Sequence, residues 1–262
     1  MTRRRALVAG ALGRMGERVC ALLADDPGLA LAAALERPGH PELGRELAPG
    51  VRLGADPSAA LAVSEIAIVF ANRPGALDLA GKAAAVGVPC VIGTTGFDPD
   101  EKKQIETLAA RIAIVLAANF SVAVNVLFHL AREAARLLGD GYDAELLELH
   151  HGAKLDAPSG TALRLAEAVA EGRGPGDRRL VLAREGETGP RPRGAIGVQV
   201  LRGGDNAGEH TLLLIGRGER LELVHRAATR DHFARGALRA AGWVLGRPPG
   251  LYDMEQVLGL RG

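Results

Sequence analysis

The sequence has few of the features that mark a secreted or membrane protein. It contains only two cysteines, Cys20 and Cys90, and neither has a close-spaced partner. This argues against a disulfide framework and a thiolate metal site, and it is typical of a reducing compartment. The apolar run after the arginines at 3–5 is broken at Gly10, which does not fit a signal peptide, and no apolar stretch is long enough to span a membrane. We therefore expect a soluble, cytoplasmic protein without a membrane partner.

The chain also lacks an excess of charge of either sign. A formal net charge of +1 gives no global attraction to nucleic acid or anionic lipid, so we expect no nucleic-acid partner and a local cluster for any acidic ligand. Lysine is scarce too, since only four of the 32 basic residues are lysines. An ammonium is a compact charge that can release a proton, so a lysine kept against this bias is a candidate functional residue. Lys154, which closely follows two histidines, is such a lysine.

The residues that are present predict an α/β protein. With 47% hydrophobic residues, the chain can form a substantial core. In the first half, short apolar runs alternate with helical patterns, which is typical of a parallel sheet wrapped by helices. Strands are predicted near Ala6–Ala9, Leu29–Leu35, Ile66–Phe70, Pro89–Ile92 and Ile112–Leu116. Residues 1–120 are therefore predicted to form a Rossmann-type dinucleotide-binding domain.

The pattern changes after residue 120. A helix is predicted from Val122 to Leu138, then a strand ending near His150, another helix, and strands near Ile196–Leu201, Thr211–Ile215 and Arg220–Arg226. Because Gly-rich turns of hairpin character separate these last strands, residues 121–230 are predicted to form a second α+β domain with a mixed, largely antiparallel sheet. Within it, the Gly-, Pro- and Arg-rich segment Glu171–Gly194 is predicted to be a mobile loop. A final helix from Asp231 to Leu245 is expected to pack residues 231–262 onto the first domain.

A candidate dinucleotide site follows the first strand. Small residues that lead into a helix let the backbone approach a pyrophosphate at the helix N-terminus. We assign cofactor binding to Gly10, Ala11, Leu12, Gly13, Arg14, Met15 and Gly16. Glu36 closes the second strand twenty residues after Gly16, where an acid accepts hydrogen bonds from an adenosine ribose. The alternative is that the glycines only allow tight packing and that Glu36 is a solvated charge.

Arg37 is harder to explain by that alternative. A guanidinium at this position binds the 2′-phosphate of NADP, whereas Glu36 binds the 2′-hydroxyl of NAD, so the pair predicts use of both NADH and NADPH. Two further loops follow strand ends, where open α/β sheets bind ligands. Unless they are ordinary turns, we expect them to border the nicotinamide with Gly93, Thr94 and Thr95 in one loop and Ala117, Ala118, Asn119 and Phe120 in the other.

The densest chemistry lies between Glu148 and Thr161. His150 and His151 can face one pocket if the strand ends there, as the following glycine indicates. The Ser159-Gly160-Thr161 run marks a helix start that attracts an anion, and Lys154 adds a full charge. A lone histidine would more often be structural, but this set favours a site, and a histidine with a pKa of about 6.5 suits proton delivery near neutrality. We expect no metal, because no third ligand lies at recognisable spacing.

Several motifs together resemble a known family. The run Val8–Gly16, the loop Gly93–Phe97, the triplet Asn119–Ser121, the His-His-x-x-Lys-x-Asp-Ala-Pro-Ser-Gly-Thr element from His150 and the run Gly208–Thr211 are similar to those of 4-hydroxy-tetrahydrodipicolinate reductase (dihydrodipicolinate reductase). This family belongs to the bacterial lysine and diaminopimelate pathway. The resemblance covers nearly the whole chain. It implies NAD(P)H-dependent reduction of 4-hydroxy-tetrahydrodipicolinate to tetrahydrodipicolinate by a cytoplasmic homotetramer assembled through the second domains.

The resemblance also implies residue roles. His150 is the proton donor and Lys154 assists acid catalysis, while the dicarboxylate substrate is bound by His151, Gly160, Thr161 and Arg230, to which the predicted anion cradle adds Ser159. One departure is that Phe70-Ala71-Asn72 replaces the usual Asp-Phe-Thr or Asp-Phe-Ser, which bears on cofactor preference more than on reaction type. Two alternatives remain: a reductase of another amino-acid-derived imine or aldehyde, and a non-catalytic NAD(P) sensor, which needs no proton donor.

Overall fold

The computed structural model describes residues 2–260, which divide into two compact units. The first unit comprises the described residues up to Val122 and those from Asp231 onwards, and the second comprises Ala123–Arg230. Among the helices of the described residues, none combines the length and the apolar character needed to cross a membrane.

The first unit begins with alternating strands and helices. In chain order these are β1 Arg4–Ala9, α1 Arg14–Leu23, β2 Leu29–Leu35, β3 Glu46–Ala48, β4 Val51–Gly54, α2 Pro57–Ala62, β5 Ile66–Val69, α3 Arg73–Val86, β6 Cys90–Ile92, α4 Pro99–Ala109 and β7 Ala113–Leu116. The five predicted strands are all present, with ends displaced by one or two residues at most. The antiparallel hairpin of β3 and β4 was not predicted, because these short strands carry no clear apolar alternation.

The second unit contains two helices and a five-stranded sheet. Its elements are α5 Val122–Leu138, a 3-10 turn Gly139–Gly141, β8 Asp143–His150, α6 Gly160–Arg173, β9 Leu180–Val181, β10 Ile196–Arg202, β11 Glu209–Ile215 and β12 Arg220–Arg226. The strand order is β12-β11-β8-β10-β9. β11 is antiparallel to both β8 and β12, whereas β10 is parallel to β8 and β9. The sheet is mixed, and two of its three long pairings are antiparallel, which confirms the predicted fold class.

Helices α5 and α6 cover one face of this sheet. Their buried side chains pack against inward residues of the strands such as Leu146, Ile196 and Leu212. The alternate residues point to the opposite face, where Leu147, Leu201, Ile215 and Val224 are 38–48% exposed. Within the second unit, all of which the structure describes, no helix covers this outer sheet face.

The segment predicted as a mobile loop is partly ordered secondary structure. α6 continues to Arg173, because its alanine-rich helical pattern persists until Gly174 ends the helix with a φ of +70°. Leu180–Val181 then forms β9, and farther along Arg184 and Arg191 both donate to the carboxylate of Glu145. The segment predicted as a loop from 171 to 194 therefore contains the end of a helix and a short strand, while its mobility stays a prediction.

The chain returns to the first unit with α7 Asp231–Val244, β13 Gly250–Tyr252 and α8 Met254–Leu258. The eight-stranded sheet has the order β13-β7-β6-β5-β1-β2-β4-β3, and every pairing except that of β3 with β4 is parallel. Helices α1, α7 and α8 cover one face and α2, α3 and α4 the other. This is the doubly covered parallel sheet of a Rossmann-type unit. β13 and α8 were missed, since elements of three and five residues are too short to show periodicity.

Candidate active site

The loop after β1 brings backbone groups unusually close together. Gly10 has a φ of +73°, and a Cβ on this residue would lie 2.6 Å from the carbonyl oxygen of Phe70. A Cβ on Gly16 would lie 1.9 Å from the carbonyl oxygen of Gly10, so only glycine fits at either position. Helix α1 starts after Gly13, whose position provides no side-chain cap, and such a helix start can receive an anion. Tight packing explains Gly10 and Gly16 and is compatible with a pyrophosphate site at the same loop.

Glu36 directly follows β2 and is held beside this loop. Its Oε1 accepts a hydrogen bond of 3.0 Å from the backbone N–H of Leu12, and its Oε2 accepts one of 3.3 Å from the backbone N–H of Arg37. Arg37 is exposed. The predicted ribose-binding acid thus lies against the predicted phosphate loop, at the carboxyl end of β2.

The strand order brings the other predicted cofactor loops to the same edge of the sheet. β1 lies between β2 and β5, and β6 and β7 follow beyond β5, so the winding direction reverses next to β1. The hydroxyl of Thr94 donates to the carbonyl oxygen of Ala71 at 2.8 Å. The Phe70 ring packs against Gly93, where an added Cβ would lie only 2.1 Å from a ring atom. The same ring lies edge-on to Phe120, with the ring centroids 6.0 Å apart. The loops after β5, β6 and β7 are therefore in mutual contact.

Two asparagines have structural roles in this region: Asn72, which departs from the family pattern, and Asn119, which matches it. Asn72 caps α3 by accepting a hydrogen bond of 2.9 Å from the backbone N–H of Gly75. Asn119 similarly accepts one of 2.8 Å from the N–H of Ser121. The same loops also contain the predicted cofactor residues Thr95, Ala117 and Ala118.

In the second unit, Glu148 is the centre of a buried cluster. Its Oε1 accepts hydrogen bonds from the backbone N–H of Ser159 at 3.0 Å and from the Arg202 guanidinium at 3.2 Å. Its Oε2 lies 3.4 Å from Nδ1 of His150 and 3.7 Å from Nε2 of His210. Burial raises the pKa of the Glu148 carboxyl, but the hydrogen bonds from Ser159 and Arg202 and the neighbouring His150 outweigh burial and lower it below the ordinary value. Glu148 is therefore a carboxylate at neutral pH.

His150 is the last residue of β8, and its ring is buried beside this carboxylate. Burial lowers the pKa of His150; Glu148 acts in the opposite direction, and Lys154 lowers the pKa further. Burial is also the main reason that the pKa of His210 falls to about 4. The ring centroids of the two histidines are 5.2 Å apart. Two imidazoles and one carboxylate thus share a small desolvated volume in which proton affinities respond strongly to added charge.

The other predicted residues of this unit surround the loop between β8 and α6. Nζ of Lys154 lies 2.8 and 2.9 Å from the two carboxylate oxygens of Asp156. Nη2 of Arg230 lies 3.3 Å from Nε2 of His151, which is partly exposed. The hydroxyl of Ser159 caps α6 by accepting a hydrogen bond from the N–H of Ala162, and Gly160 and Thr161 form the first helical positions.

The sequence assigned no role to Glu148, Arg202 or His210, although Glu148 begins the segment of densest chemistry and His210 lies in the run Gly208–Thr211. Glu148 could have been found, because strand alternation places it on the same face as His150. Arg202 and His210 come from neighbouring strands, whose register is not visible in one sequence. The ligand atoms of Glu148, His150 and His210 lie within 4.8 Å of one another. The Arg202 guanidinium already neutralises the charge of the Glu148 carboxylate, and Lys154 adds positive charge nearby, so the cluster favours a proton over a metal ion. The absence of a metal remains a prediction.

Comparisons with known proteins agree on one family. The model for the N-terminal part of dihydrodipicolinate reductase matches residues 4–120, and the model for its C-terminal part matches residues 123–258. The chain is 51% identical to a 4-hydroxy-tetrahydrodipicolinate reductase of Anaeromyxobacter dehalogenans (strain 2CP-1 / ATCC BAA-258), with 98% of each chain covered. It is 47% identical to the enzyme of that name from Nitrosomonas europaea, with 97% of each covered.

Solved structures show the same fold at lower identity. Dipicolinate-bound dihydrodipicolinate reductase from Paenisporosarcina sp. TG-14 superposes with a TM-score of 0.79 at 23% identity, covering 96% of this chain and 98% of the other. An amine dehydrogenase from Mycobacterium smegmatis superposes with a TM-score of 0.63 at 15% identity, covering 97% and 96%. Because the sequence matches span both units at close to half identity, this chain belongs to the dihydrodipicolinate reductase family.

Proposed function

We propose that this protein catalyses the NAD(P)H-dependent reduction of 4-hydroxy-tetrahydrodipicolinate to tetrahydrodipicolinate in lysine and diaminopimelate biosynthesis. The observation that carries the proposal is the arrangement at the end of β8, where a buried imidazole, His150, lies beside a lysine and the capped start of α6. In a chain of this family, that arrangement combines a proton donor with an anion cradle. A dinucleotide sensor would need neither.

The first unit supplies the dinucleotide site. The residues fit such a group, because Gly10 and Gly16 leave no room for a Cβ where the backbone closes on the α1 start, and Glu36 lies next to that loop. The pyrophosphate would be held by the run from Gly10 to Gly16, and the adenosine ribose by Glu36 or, when phosphorylated, by Arg37. The loops with Gly93, Thr94 and Thr95 and with Ala117, Ala118, Asn119 and Phe120 would border the nicotinamide. When bound, NADH or NADPH supplies the hydride.

The second unit supplies the substrate groups. Carboxylates of the substrate are bound by the positive charges of Lys154 and Arg230, by His151, and by the α6 start with Ser159, Gly160 and Thr161. These contacts fix the orientation of the substrate ring. The 4-hydroxyl of the substrate leaves as water, which gives a conjugated cyclic imine that accepts the hydride. His150 then delivers a proton to the atom on which negative charge develops, and Lys154 stabilises that charge.

We also propose a cytoplasmic homotetramer built through the second unit. The support is the outer sheet face, where Leu147, Leu201, Ile215 and Val224 are exposed on one side of a five-stranded sheet. An uncovered apolar sheet face of this kind is typical of an association surface. The two cysteines are free thiols, in keeping with a reducing compartment.

The decisive experiment is a coupled assay. Purified protein is supplied with a synthase that produces 4-hydroxy-tetrahydrodipicolinate in place, and loss of NADPH or NADH absorbance is followed. We expect reduced dinucleotide to be consumed only when synthase and its substrates are present. Consumption that fails with this substrate but occurs with another cyclic imine or an aldehyde would replace the proposal by the alternative reductase.

A further inference from the structure

We propose that Glu148 is the positioning residue of the proton donor: its Oε2 accepts the Nδ1 proton of His150 and thereby leaves Nε2 as the nitrogen that delivers a proton to the substrate. The delivery to substrate rests on the proposed function. The pairing of Glu148 with His150 does not, because it is a property of the folded second unit alone.

The geometry of Glu148 is the first argument. The residue is 1% exposed, and Oε1 is already fixed by Ser159 and Arg202. Neither Oε2 of Glu148 nor Nδ1 of His150 has a hydrogen-bond partner among the described residues, yet the two atoms are 3.4 Å apart. Unpaired buried polar atoms are costly, and catalytic hydrogen bonds are often long before substrate binds. A movement of a few tenths of an ångström joins this donor to this acceptor.

The local sequence makes this contact a consequence of the strand. Glu148 and His150 are two residues apart in β8, so pleating places both side chains on the face that packs against α6. The hydroxyl of Ser159 caps α6, whereas its backbone N–H donates a hydrogen bond to Glu148. One carboxylate therefore ties the start of the anion cradle to the imidazole, and it fixes both relative to the same strand.

The charges around His150 explain why a carboxylate is needed. The groups that face the ring are Glu148 from β8, Arg202 from β10, His210 from β11, and Lys154 and Asp156 from the loop after β8, with His225 of β12 behind His210. Burial, Lys154 and Arg202 all disfavour a protonated His150. Asp156 favours it but is exposed and bound to Lys154. Glu148 is thus the buried group that opposes these effects and supports a charged imidazole.

The proton inventory is simple. His150 enters the reaction doubly protonated, with its Nδ1 proton held by Glu148. The Nε2 proton passes to the substrate atom that has gained negative charge, and the Nε2 electron pair stays on the ring. His150 is left neutral with the proton on Nδ1, and water returns a proton to Nε2. Glu148 remains ionised throughout, which is consistent with its lowered pKa.

The first test is made on the wild-type protein. ¹⁵N NMR of this protein without ligands reports which nitrogen of the neutral His150 imidazole carries the proton, and His150→Gln serves only to assign the signal. The proposal requires the Nδ1–H tautomer. An Nε2–H tautomer would overturn it, whatever the enzyme's activity proves to be.

The second test is Glu148→Gln, which keeps the size of the side chain and an oxygen for Ser159. We expect kcat to fall by about 10²-fold with substrate KM and dinucleotide Kd changed by less than about threefold, because orientation and proton affinity are lost rather than binding. We also expect the decline of kcat at high pH, which marks deprotonation of His150, to move to lower pH by about one unit or more. Glu148→Asp, which restores the charge, should bring the pH profile back toward wild type.

The matched control is Glu133→Gln, the same substitution at a residue of α5 whose side chain is 39% exposed and pairs with Arg136. It should leave kcat and the pH profile unchanged. A Glu148→Gln enzyme with a wild-type pH profile would refute the positioning role, even if kcat fell. Should wild-type protein show no turnover, the proposed function fails, while the tautomer measurement still decides the role of Glu148.

Discussion

Lys154 and Asp156 form a two-point ion pair, with Nζ of the lysine 2.8 and 2.9 Å from the two carboxylate oxygens. The Asp156 side chain is largely exposed, whereas that of Lys154 is mostly shielded. An exposed carboxylate is a weak competitor, since surface pairs contribute about 0–1 kcal/mol. Under the proposed function, we therefore expect a substrate carboxylate to displace Asp156 from the ammonium of Lys154.

The division of labour between His150 and Lys154 can be measured by a double-mutant cycle. We expect His150→Gln to reduce kcat by about 10² to 10⁴ with nearly unchanged dinucleotide affinity, because the proton donor is lost and the cofactor loops are not. Lys154→Arg keeps the positive charge but replaces the compact ammonium by a planar guanidinium, and we expect this single variant to lose kcat as well. Since both act on one transition state, the double variant should lose less than the sum of the two free-energy changes. Full additivity in steady-state kinetics would show independent roles.

Cofactor choice should follow the two residues after β2. Arg37→Ala should weaken NADPH by about tenfold to a hundredfold and NADH much less, because one charge-assisted hydrogen bond to the 2′-phosphate is removed. Glu36→Gln should weaken NADH more than NADPH, while its remaining oxygen can still accept from Leu12. Dissociation constants from fluorescence titration test both. Arg111→Ala, an exposed arginine after α4, is the control, and equal effects on both dinucleotides would contradict the assignment.

The glycine loop should be intolerant of a single methyl group. Gly16→Ala places a Cβ 1.9 Å from the Gly10 carbonyl oxygen, so we expect lost dinucleotide binding and destabilisation by several kcal/mol, of the order seen for severe overpacking. The control is Gly81→Ala within α3, where a Cβ meets nothing within 4 Å. This change should stabilise the protein by about 0.5–1 kcal/mol. Thermal melts and NADPH titration distinguish the two, and a Gly16→Ala protein with normal affinity would show that the loop can relax.

The main elements could be predicted because their apolar patterns are clear in the sequence. The strands β1, β2, β5, β6 and β7 and the helix α5 were found from apolar patterns alone, and β8 ends where Gly152 indicated. The strands β3, β4, β9 and β13, at or next to the sheet edges, were missed because they are short and lack the continuous buried apolar run that marks β5, β6 and β7.

The candidate site shows a different limit. His150, Lys154 and Ser159 lie in one short segment of the sequence, so their proximity could be inferred. His210 reaches His150 only through the antiparallel register of β11 with β8, and Arg202 through the parallel register of β10. Register depends on core packing across strands, which one sequence does not display. The buried carboxylate at 148 was overlooked for a simpler reason, since acidic residues in strands usually face solvent.

Buried His210 should make the protein sensitive to mild acid. Its pKa in the folded state is about 4, below the ordinary 6.5, so the unfolded chain takes up a proton first as the pH falls. Stability therefore decreases from about pH 6.5 down to about pH 4, and this one group should remove about 2 kcal/mol between about pH 7.5 and about pH 5. The lowered pKa of Glu148 adds a loss only at still lower pH, as that carboxylate becomes protonated.

Urea titrations of ligand-free protein at the two pH values test this. In His210→Gln, the free energy of unfolding should fall by about 2 kcal/mol less between these pH values than in wild type. His40→Gln, in the first unit and outside this cluster, should show the same fall as wild type. If both variants behave like wild type, His210 does not govern the acid response.

Self-association should depend on the outer sheet face. Leu147→Glu places a charge in the middle of β8 on that face, so we expect light scattering to show a species smaller than a tetramer. Leu137→Glu is the matched control, because Leu137 is 72% exposed on α5 and lies outside the face. A stable wild-type monomer at micromolar concentration, or a tetramer in Leu147→Glu, would contradict the proposed assembly.

The discontinuous make-up of the first unit affects how the chain folds during synthesis. Its strands β1 to β7 lie within the first half of the chain, but β13, which pairs with β7, and helices α7 and α8, which help to cover one face, are translated after the second unit. Until β13, α7 and α8 have left the ribosome, the β7 edge and apolar residues such as Val115 lack their final cover. An exposed edge of this kind is prone to pairing with other chains, so a nascent chain stalled before Asp231 would be a preferred client for chaperones.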